Sequence, residues 1–181
     1  MKKFFTLTLI LGLVVGLTGC FGEETDEKRT EENDVIQEEN NQDERARTIE
    51  ESGLEIGTGT GMRDDPYIID VDEMQVGNVT DYVVGVPSLY YAVPAAPGKT
   101  YTGTLIITST SVEQTPFWAS VVANAGMYTD SDAEKLEGLE LVGQDMVVSV
   151  EISEMASSVN FNITTNVLGQ DVFYEFYVEE E

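Results

Sequence analysis

Carboxylates are almost the only side chains in this sequence that could do acid–base or nucleophilic chemistry. The 181 residues include 34 Asp and Glu, one Cys and no His. Without His, neither a Ser-His-Asp nor a Cys-His arrangement can form, and neither Lys99 nor Lys135 completes a Ser-x-x-Lys motif. Two carboxylates can hydrolyse a glycosidic bond, but acids are so frequent that no pair is singled out. We therefore predict that the protein is not an enzyme, with a carboxylate-dependent hydrolase as the less favoured alternative.

Carboxylates can also bind cations, and several lie close together in the sequence. Oxygen-rich clusters suit Ca²⁺, which extracellular modules bind with dissociation constants of about 10⁻⁴–10⁻³ M. The segment that holds these acids, residues 64–72, lacks an EF-hand-type loop with ligands at alternate positions. Acidic side chains that are simply solvated in turns are the favoured explanation of the cluster. We predict no cofactor, with weak Ca²⁺ binding as the alternative, in which the ligands would be Asp64, Asp65, Asp70 and Asp72.

Aromatic side chains could form a flat surface on which sugar rings stack. The candidates are Trp118, Tyr90 and Tyr91. Tyr90 and Tyr91 are adjacent, so in a strand they point to opposite faces of the sheet and one of them faces outward. The alternative is that these rings fill the core, which is the commoner use of aromatic residues.

The N-terminus has the pattern of a secretory signal peptide. Lys2 and Lys3 precede an apolar run from Phe4 to Leu17, and a positive start followed by such a run is typical of secretion signals. The run is shorter than the roughly 20 residues that a membrane-spanning helix needs. We predict that residues 1–19 are a cleaved signal peptide.

The apolar run ends in Leu17-Thr18-Gly19-Cys20, which resembles the lipobox of bacterial lipoproteins. The resemblance implies recognition of Leu17, Thr18 and Gly19 by the signal peptidase, cleavage before Cys20 and attachment of a diacylglyceryl lipid to the Cys20 sulfur through a thioether. It places the protein on the extracytoplasmic face of a cell membrane, and the bulky Phe21 favours a Gram-positive-type surface. Two acyl chains on one residue satisfy the requirement for stable anchoring. The alternative is an ordinary secretory peptide with an unrelated cysteine.

The formal charge of −25 restricts the possible partners. A strongly acidic surface repels nucleic acid and anionic lipids, and it attracts cations. We therefore exclude nucleic-acid binding. The charge is explained either by solubility in an ionic medium or by docking to cations or a basic partner, and the first explanation is favoured.

The chain divides into a signal peptide, a linker and one domain. Residues 20–61 hold the lipidated Cys and a tract rich in acids and poor in apolar side chains, which predicts disorder or transient helix. The tract ends in Gly57-Thr58-Gly59-Thr60-Gly61, which we interpret as a flexible hinge because its spacing is wrong for a phosphate-binding loop. Residues 62–181 then form the folded domain.

The domain has the alternating pattern of half-buried strands. In Asp145–Ser153, Ser157–Thr165 and Asp171–Val178 apolar residues recur at every second position, as in antiparallel sheets with one wet face. Five further short strands are predicted near Tyr67–Val71, Asn78–Val84, Leu89–Val93, Thr100–Ser109 and Pro116–Ala123. The predicted fold class is all-β, a jelly-roll-like antiparallel β-sandwich of about eight strands. A short helical turn is predicted at Ser131–Leu136, after potential capping residues.

A second resemblance concerns the first half of the domain. The segments Asp65-Pro66-Tyr67-Ile68-Ile69, Gly77-Asn78-Val79-Thr80 and Tyr90-Tyr91-Ala92-Val93-Pro94 are followed by Gly98-Lys99-Thr100-Tyr101 and Leu105. This order resembles bacterial pre-peptidase C-terminal-type domains, and the resemblance implies a small extracellular β-sandwich with an accessory role.

Together these features predict a membrane-anchored binding module. Its partner would be an extracellular glycan, a wall component or a protein. The alternative is a structural or envelope-stress lipoprotein whose acidic surface is adapted to an ionic medium.

Overall fold

The computed structural model describes residues 41–79, 87–114, 116–125 and 131–181. These residues belong to one compact unit, Asn41–Glu181. The predicted signal peptide, Cys20 and the first half of the predicted linker lie outside the described residues, as does most of the predicted strand Asn78–Val84. Within the described part of the chain, no helix is long and apolar enough to cross a membrane.

The described residues form nine strands. They are β1 Tyr67–Ile68, β2 Gln75–Asn78, β3 Ser88–Pro94, β4 Thr100–Thr110, β5 Trp118–Asn124, β6 Ser131–Glu137, β7 Asp145–Glu151, β8 Ser158–Thr165 and β9 Val172–Glu180. A 3₁₀ turn, Leu139–Leu141, follows β6. In β5, β7, β8 and β9 buried and less buried residues alternate, as the apolar pattern predicts.

The strands form two sheets with the connectivity of a jelly roll. One sheet has the order β1-β3-β8-β5-β6 and the other β2-β9-β4-β7. The antiparallel pairs β2–β9, β3–β8, β4–β7 and β5–β6 are nested about the β5–β6 hairpin, which is the arrangement of a jelly roll. The predicted fold class is confirmed. The one parallel pair among the described strands joins the short β1 to β3.

Large aromatic side chains join the two sheets. Phe161 of β8 packs against Phe176 of β9 with ring centroids 5.4 Å apart, and Tyr91 of β3 lies 5.0 Å from the same ring. Gly103 of β4 lies beneath Phe161, because a Cβ at this position would be 2.5 Å from the Phe161 ring. The glycine thus leaves the space that the phenyl ring fills.

The helical turn predicted at Ser131–Leu136 is wrong, because this segment is strand β6. It pairs with β5 from Trp118↔Glu137 to Asn124↔Ser131, so the backbone hydrogen bonds along that edge of β5 outweigh the local helix propensity. Glu134 and Asp132 accept hydrogen bonds from the backbone N–H groups of Val147 and Ser149 in β7, at 2.6 and 3.1 Å. Two side chains of β6, in the five-stranded sheet, therefore cover the edge strand β7 of the four-stranded sheet.

The folded unit starts before the predicted boundary at Met62. Residues 41–52 are helical (α1), and the helix ends at Gly53, whose φ of 68° is typical of a C-terminal cap. The predicted hinge is also ordered. Ile68 donates its N–H to the carbonyl of Thr58 at 2.9 Å, and a side chain at Gly59 would collide with the Pro66 carbonyl.

Arg45 attaches α1 to the ends of three strands. Its guanidinium lies 2.6 Å from Asp70 and 3.5 Å from Glu180, and it donates to the Pro94 carbonyl at 2.7 Å. Glu180 also accepts a 2.6 Å hydrogen bond from the Tyr101 hydroxyl. The Arg45 side chain is only 14% exposed, so these contacts are largely shielded from water.

We expect Arg45→Met to lower the free energy of unfolding by about 1–3 kcal/mol, because it removes the cation beside the partly buried carboxylate of Asp70 and leaves Glu180 to its 3.4 Å ion pair with Lys99. Arg47→Met is the matched control. Arg47 lies on the same helix, with a 3.8 Å ion pair to Glu51 that is about 70% exposed, and should cost less than about 0.5 kcal/mol. Urea denaturation measures both, and equal losses would contradict the proposed attachment.

The hydroxyl groups of Tyr91 and Tyr174 are hydrogen-bonded to each other between the sheets. Tyr91 is 2% exposed and Tyr174 is 4% exposed. Burial, followed by the charge of an ionised Tyr174, raises the pKa of Tyr91 above its ordinary value. Burial also raises the pKa of Tyr101, and its hydrogen bond to Glu180 adds to the effect.

These raised pKa values predict a loss of stability in alkali. The contribution of the buried, uncharged tyrosines to the free energy of unfolding is fully present below about pH 10, where an unfolded tyrosine ionises. It is lost as the pH rises further, because the unfolded chain releases the proton first. Above about pH 10, Tyr91→Phe should make the free energy of unfolding fall less steeply, by up to about 1.4 kcal/mol per pH unit. Urea titrations across this range test it. Identical slopes in the two proteins would contradict the assignment.

Candidate functional site

Four neighbouring strands of the five-stranded sheet contain no charged residue. Strands β1, β3, β5 and β8 have 2, 7, 7 and 8 residues, and none is Asp, Glu, Lys or Arg. Those four residue types make up 24% of the whole chain. On a strongly acidic protein, the outward face of β3, β5 and β8 is therefore an uncharged surface, and we call it the neutral face. The outward residue of β1, Ile68, and its neighbour Ala92 are buried, so β1 adds no exposed area to this face.

Hydroxyl and amide groups fill the centre of the neutral face. Register places Ser88, Thr164 and Ser120 in one row, and Tyr90, Asn162 and Val122 in the next. A third row contains Asn160 and Asn124. Ser88 and Thr164 share a 3.0 Å hydrogen bond, and Thr164 donates to Asn162. The side chains of these rows are partly exposed, so they offer donors and acceptors to a ligand.

Trp118 lies at one end of the neutral face and is held by its neighbours. The Asn166 side chain accepts a hydrogen bond from the Trp118 backbone N–H at 2.9 Å and donates to the Pro116 carbonyl at 2.8 Å. The Lys135 ammonium lies 4.7 Å from the centre of the indole ring and 2.6 Å from Glu137. The lysine is therefore placed beside the ring by both a cation–π contact and an ion pair.

A shallow cavity lies near the same end of the sandwich. Its volume is about 400 Å³, and it is formed by the loops that join β4 to β5 and β8 to β9. Pro116, whose carbonyl is bound by Asn166, lines it together with Ser111, Val112, Glu113, Gln114, Val167 and Gln170. A ligand that extends past Trp118 could continue into this space.

The structure separates the three predicted stacking residues. Tyr90 and Trp118 are partly exposed on the outward side of the five-stranded sheet. Tyr91 is 2% exposed and bonded to Tyr174 between the sheets. The prediction of Tyr91 as a stacking residue is wrong, because its alternation with Tyr90 directs it into the core.

The four acids of the predicted Ca²⁺ site do not converge. Asp70 is engaged by Arg45, and Asp65 accepts a 2.8 Å hydrogen bond from Thr60 within a turn. Asp72 has a φ of 60°, as the short polar side chains of turns tolerate. Among residues 41–79, 87–114, 116–125 and 131–181, no group of three or more acidic side chains is arranged to hold a metal ion.

Residue type alone does not assign the polar residues of the neutral face to a site. Asn160 and Asn162 occupy polar positions of the alternating segment Ser157–Thr165, and Asn124 lies just after the predicted strand Pro116–Ala123. The sequence marks these residues only through an absence: the segments that become β3, β5 and β8 have no charged residue, in a chain where charges are frequent. That property becomes a surface only when the register places the three strands side by side.

No protein-family model and no curated protein matches this chain. A solved structure of the pre-peptidase C-terminal domain of a collagenase from Bacillus anthracis is similar, with 12% identity and a TM-score of 0.40, over 62% of this chain and 92% of that chain. A structure of TmCBM61 in complex with β-1,4-galactotriose is similar at 11% identity and a TM-score of 0.37, over 62% and 91% of the two chains.

Proposed function

We propose that the protein is a lipid-anchored extracytoplasmic module that binds a neutral glycan on its neutral face. The observation that carries this proposal is the absence of charge from β1, β3, β5 and β8 in a chain with a net charge of −25. A face that served only solubility would carry the same acids as the rest of the surface.

The groups on the neutral face suit a ligand with many hydroxyl groups and no charge. Each Asn amide can donate two hydrogen bonds and accept two, and each Ser or Thr hydroxyl can donate one and accept two. Asn160, Asn162 and Ser120 therefore match alternating sugar hydroxyls. Tyr90 and Trp118 supply amphipathic rings at two points of the same face. An ionic ligand would find no partner on the strands at the centre of this face.

In this proposal, Lys135 opposes ligand binding at the Trp118 end of the neutral face. The ammonium stands over the indole ring, where a stacked sugar would also have to lie. Ligand binding would have to move the lysine aside, against the cation–π contact and the ion pair with Glu137 that hold it there. Lys135 would thus compete with the ligand for the ring and weaken binding.

The proposed anchor would hold the folded unit at the extracytoplasmic surface of the membrane, so that the module is displayed there. In the proposed arrangement Cys20 carries the lipid, and the residues that precede α1 join it to the sandwich. Arg45 attaches α1 firmly to the folded unit, so the tether ends before α1 and does not extend to Met62.

Binding should be visible through Trp118, the only tryptophan of the chain. We expect neutral hexasaccharides or purified neutral wall polysaccharide to change its fluorescence in a saturable way. Tyr90→Ala should weaken binding about tenfold, equivalent to about 1.4 kcal/mol. Phe173→Ala is the matched control, because Phe173 is an exposed aromatic residue of β9 in the other sheet, and it should leave the affinity unchanged. Lys135→Met should strengthen binding.

The glycan proposal fails if none of these polysaccharides binds, or if Tyr90→Ala and Phe173→Ala behave alike. Binding of a surface protein, but no glycan, to the neutral face would identify a protein-binding module instead. Calorimetry extends the test to Trp118→Ala, which lacks the fluorescent reporter.

The lipid anchor has its own test. In a bacterial host, labelled palmitate should be incorporated into the wild-type chain and should be absent from Cys20→Ser, because only a thiol can accept the diacylglyceryl group. The variant should also disappear from the membrane fraction. A Cys20→Ser protein that remains acylated and membrane-bound would contradict the assignment of the anchor.

A further inference from the structure

The outward face of the four-stranded sheet differs chemically from the neutral face. The strands β2, β4, β7 and β9 contain no Lys or Arg. Four carboxylates point outward from them, two on the edge strand β7 and two on β9. They are Asp145, Glu151, Glu175 and Glu179, all partly or fully exposed.

Exposed apolar side chains lie between these carboxylates. Val76 is 73% exposed, Val147 45% and Phe173 44%. Register places Val76, Glu175, Ile106 and Asp145 in one row across the sheet, so apolar and anionic groups alternate along that row. The next row holds Tyr177, Thr104 and Val147, has no charge, and its Thr104 is buried. We call this surface the acidic apolar face.

We propose that the acidic apolar face docks a partner surface in which Lys or Arg side chains alternate with apolar ones. Val76 and Phe173 lie on the paired strands β2 and β9, where Phe173 is opposite Asn78, two residues after Val76, and exposed apolar groups that lie together can mark an interaction site. These strands carry carboxylates and no cations, which favours a partner with positive charge. Complementary charge speeds association and excludes wrong partners.

A second copy of this chain is the wrong occupant for this face. Pairing two such faces would bring Asp145, Glu175 and their neighbours against an equal number of carboxylates, with no cation from the same strands to separate them. Each copy also has a formal charge of −25. Like charges placed together across an interface cost several kcal/mol, so a cationic partner is favoured.

This inference is independent of the proposed glycan binding. The two faces belong to different sheets and look outward on opposite sides of the sandwich, so one occupant does not block the other. A chain that uses both would connect a basic protein to a neutral polymer.

The test uses a capped peptide of alternating Lys and Val residues as the probe, and the same peptide with Glu in place of Lys as its control. The protein is the chain from residue 20 to 181 with Cys20→Ser, handled without lipid. Val76→Ser/Phe173→Ser removes apolar contacts, and Glu175→Gln/Glu179→Gln removes charge. Glu50→Gln/Glu55→Gln removes the same charge from exposed positions outside the sheet.

We expect the Lys peptide to bind and the Glu peptide not to bind. Each pair of substitutions on the acidic apolar face should raise the dissociation constant about tenfold, whereas the control pair should change it less than about twofold. Equal weakening by all three pairs would show attraction to net charge alone and overturn the proposal. Self-association of the unliganded protein, abolished by Val76→Ser/Phe173→Ser in sedimentation, would overturn it in favour of a second copy.

Discussion

The packing of Phe161 between Gly103 and Phe176 holds the sandwich together. Phe161 belongs to one sheet, and the other two residues belong to the opposite sheet, so this contact crosses the core. The neighbouring contact of Tyr91 with Phe176 extends the same aromatic layer. Aromatic pairs of this kind add to the burial of apolar area. Since both sheets commit their inner faces to this layer, these inner faces are closed to a ligand, which leaves the outer faces and the loops for binding.

The two outer faces have different chemistry because the charged residues are unevenly distributed among the strands. The five-stranded sheet is uncharged except at β6, where Asp132 and Glu134 bind backbone N–H groups of β7. On the four-stranded sheet, by contrast, four carboxylates of β7 and β9 point outward. A strand edge left open invites pairing with other chains, and β6 closes that edge of the sandwich. Asp132 and Glu134 of β6 thus protect an edge, whereas Lys135 of the same strand lies over the Trp118 ring at one end of the neutral face.

Regular alternation was sufficient to predict the strands at the C-terminal end, because one side of each faces the core and the other faces water. It was insufficient at Ser131–Leu136, where local helix propensity was outweighed by pairing with β5. For the tract that contains α1 the sequence predicted disorder or transient helix, and it gave no sign that the helix packs on the sandwich, because its inward side is formed by Arg45 and Thr48, which are not apolar. The candidate site was predicted only in part. Trp118 and Tyr90 could be proposed from residue type, whereas Asn162 acquires its meaning from the register.

The central claim is that the uncharged surface formed by β3, β5 and β8 is the ligand-binding surface. The most direct test is to follow the side-chain amide signals of Asn124, Asn160 and Asn162 and the indole N–H of Trp118 by NMR while a neutral polysaccharide is added. We predict that these signals shift together and saturate, while the amide signals of β7 and β9 stay unchanged. Shifts confined to β7 and β9, or no shifts at saturating polysaccharide, would contradict the claim.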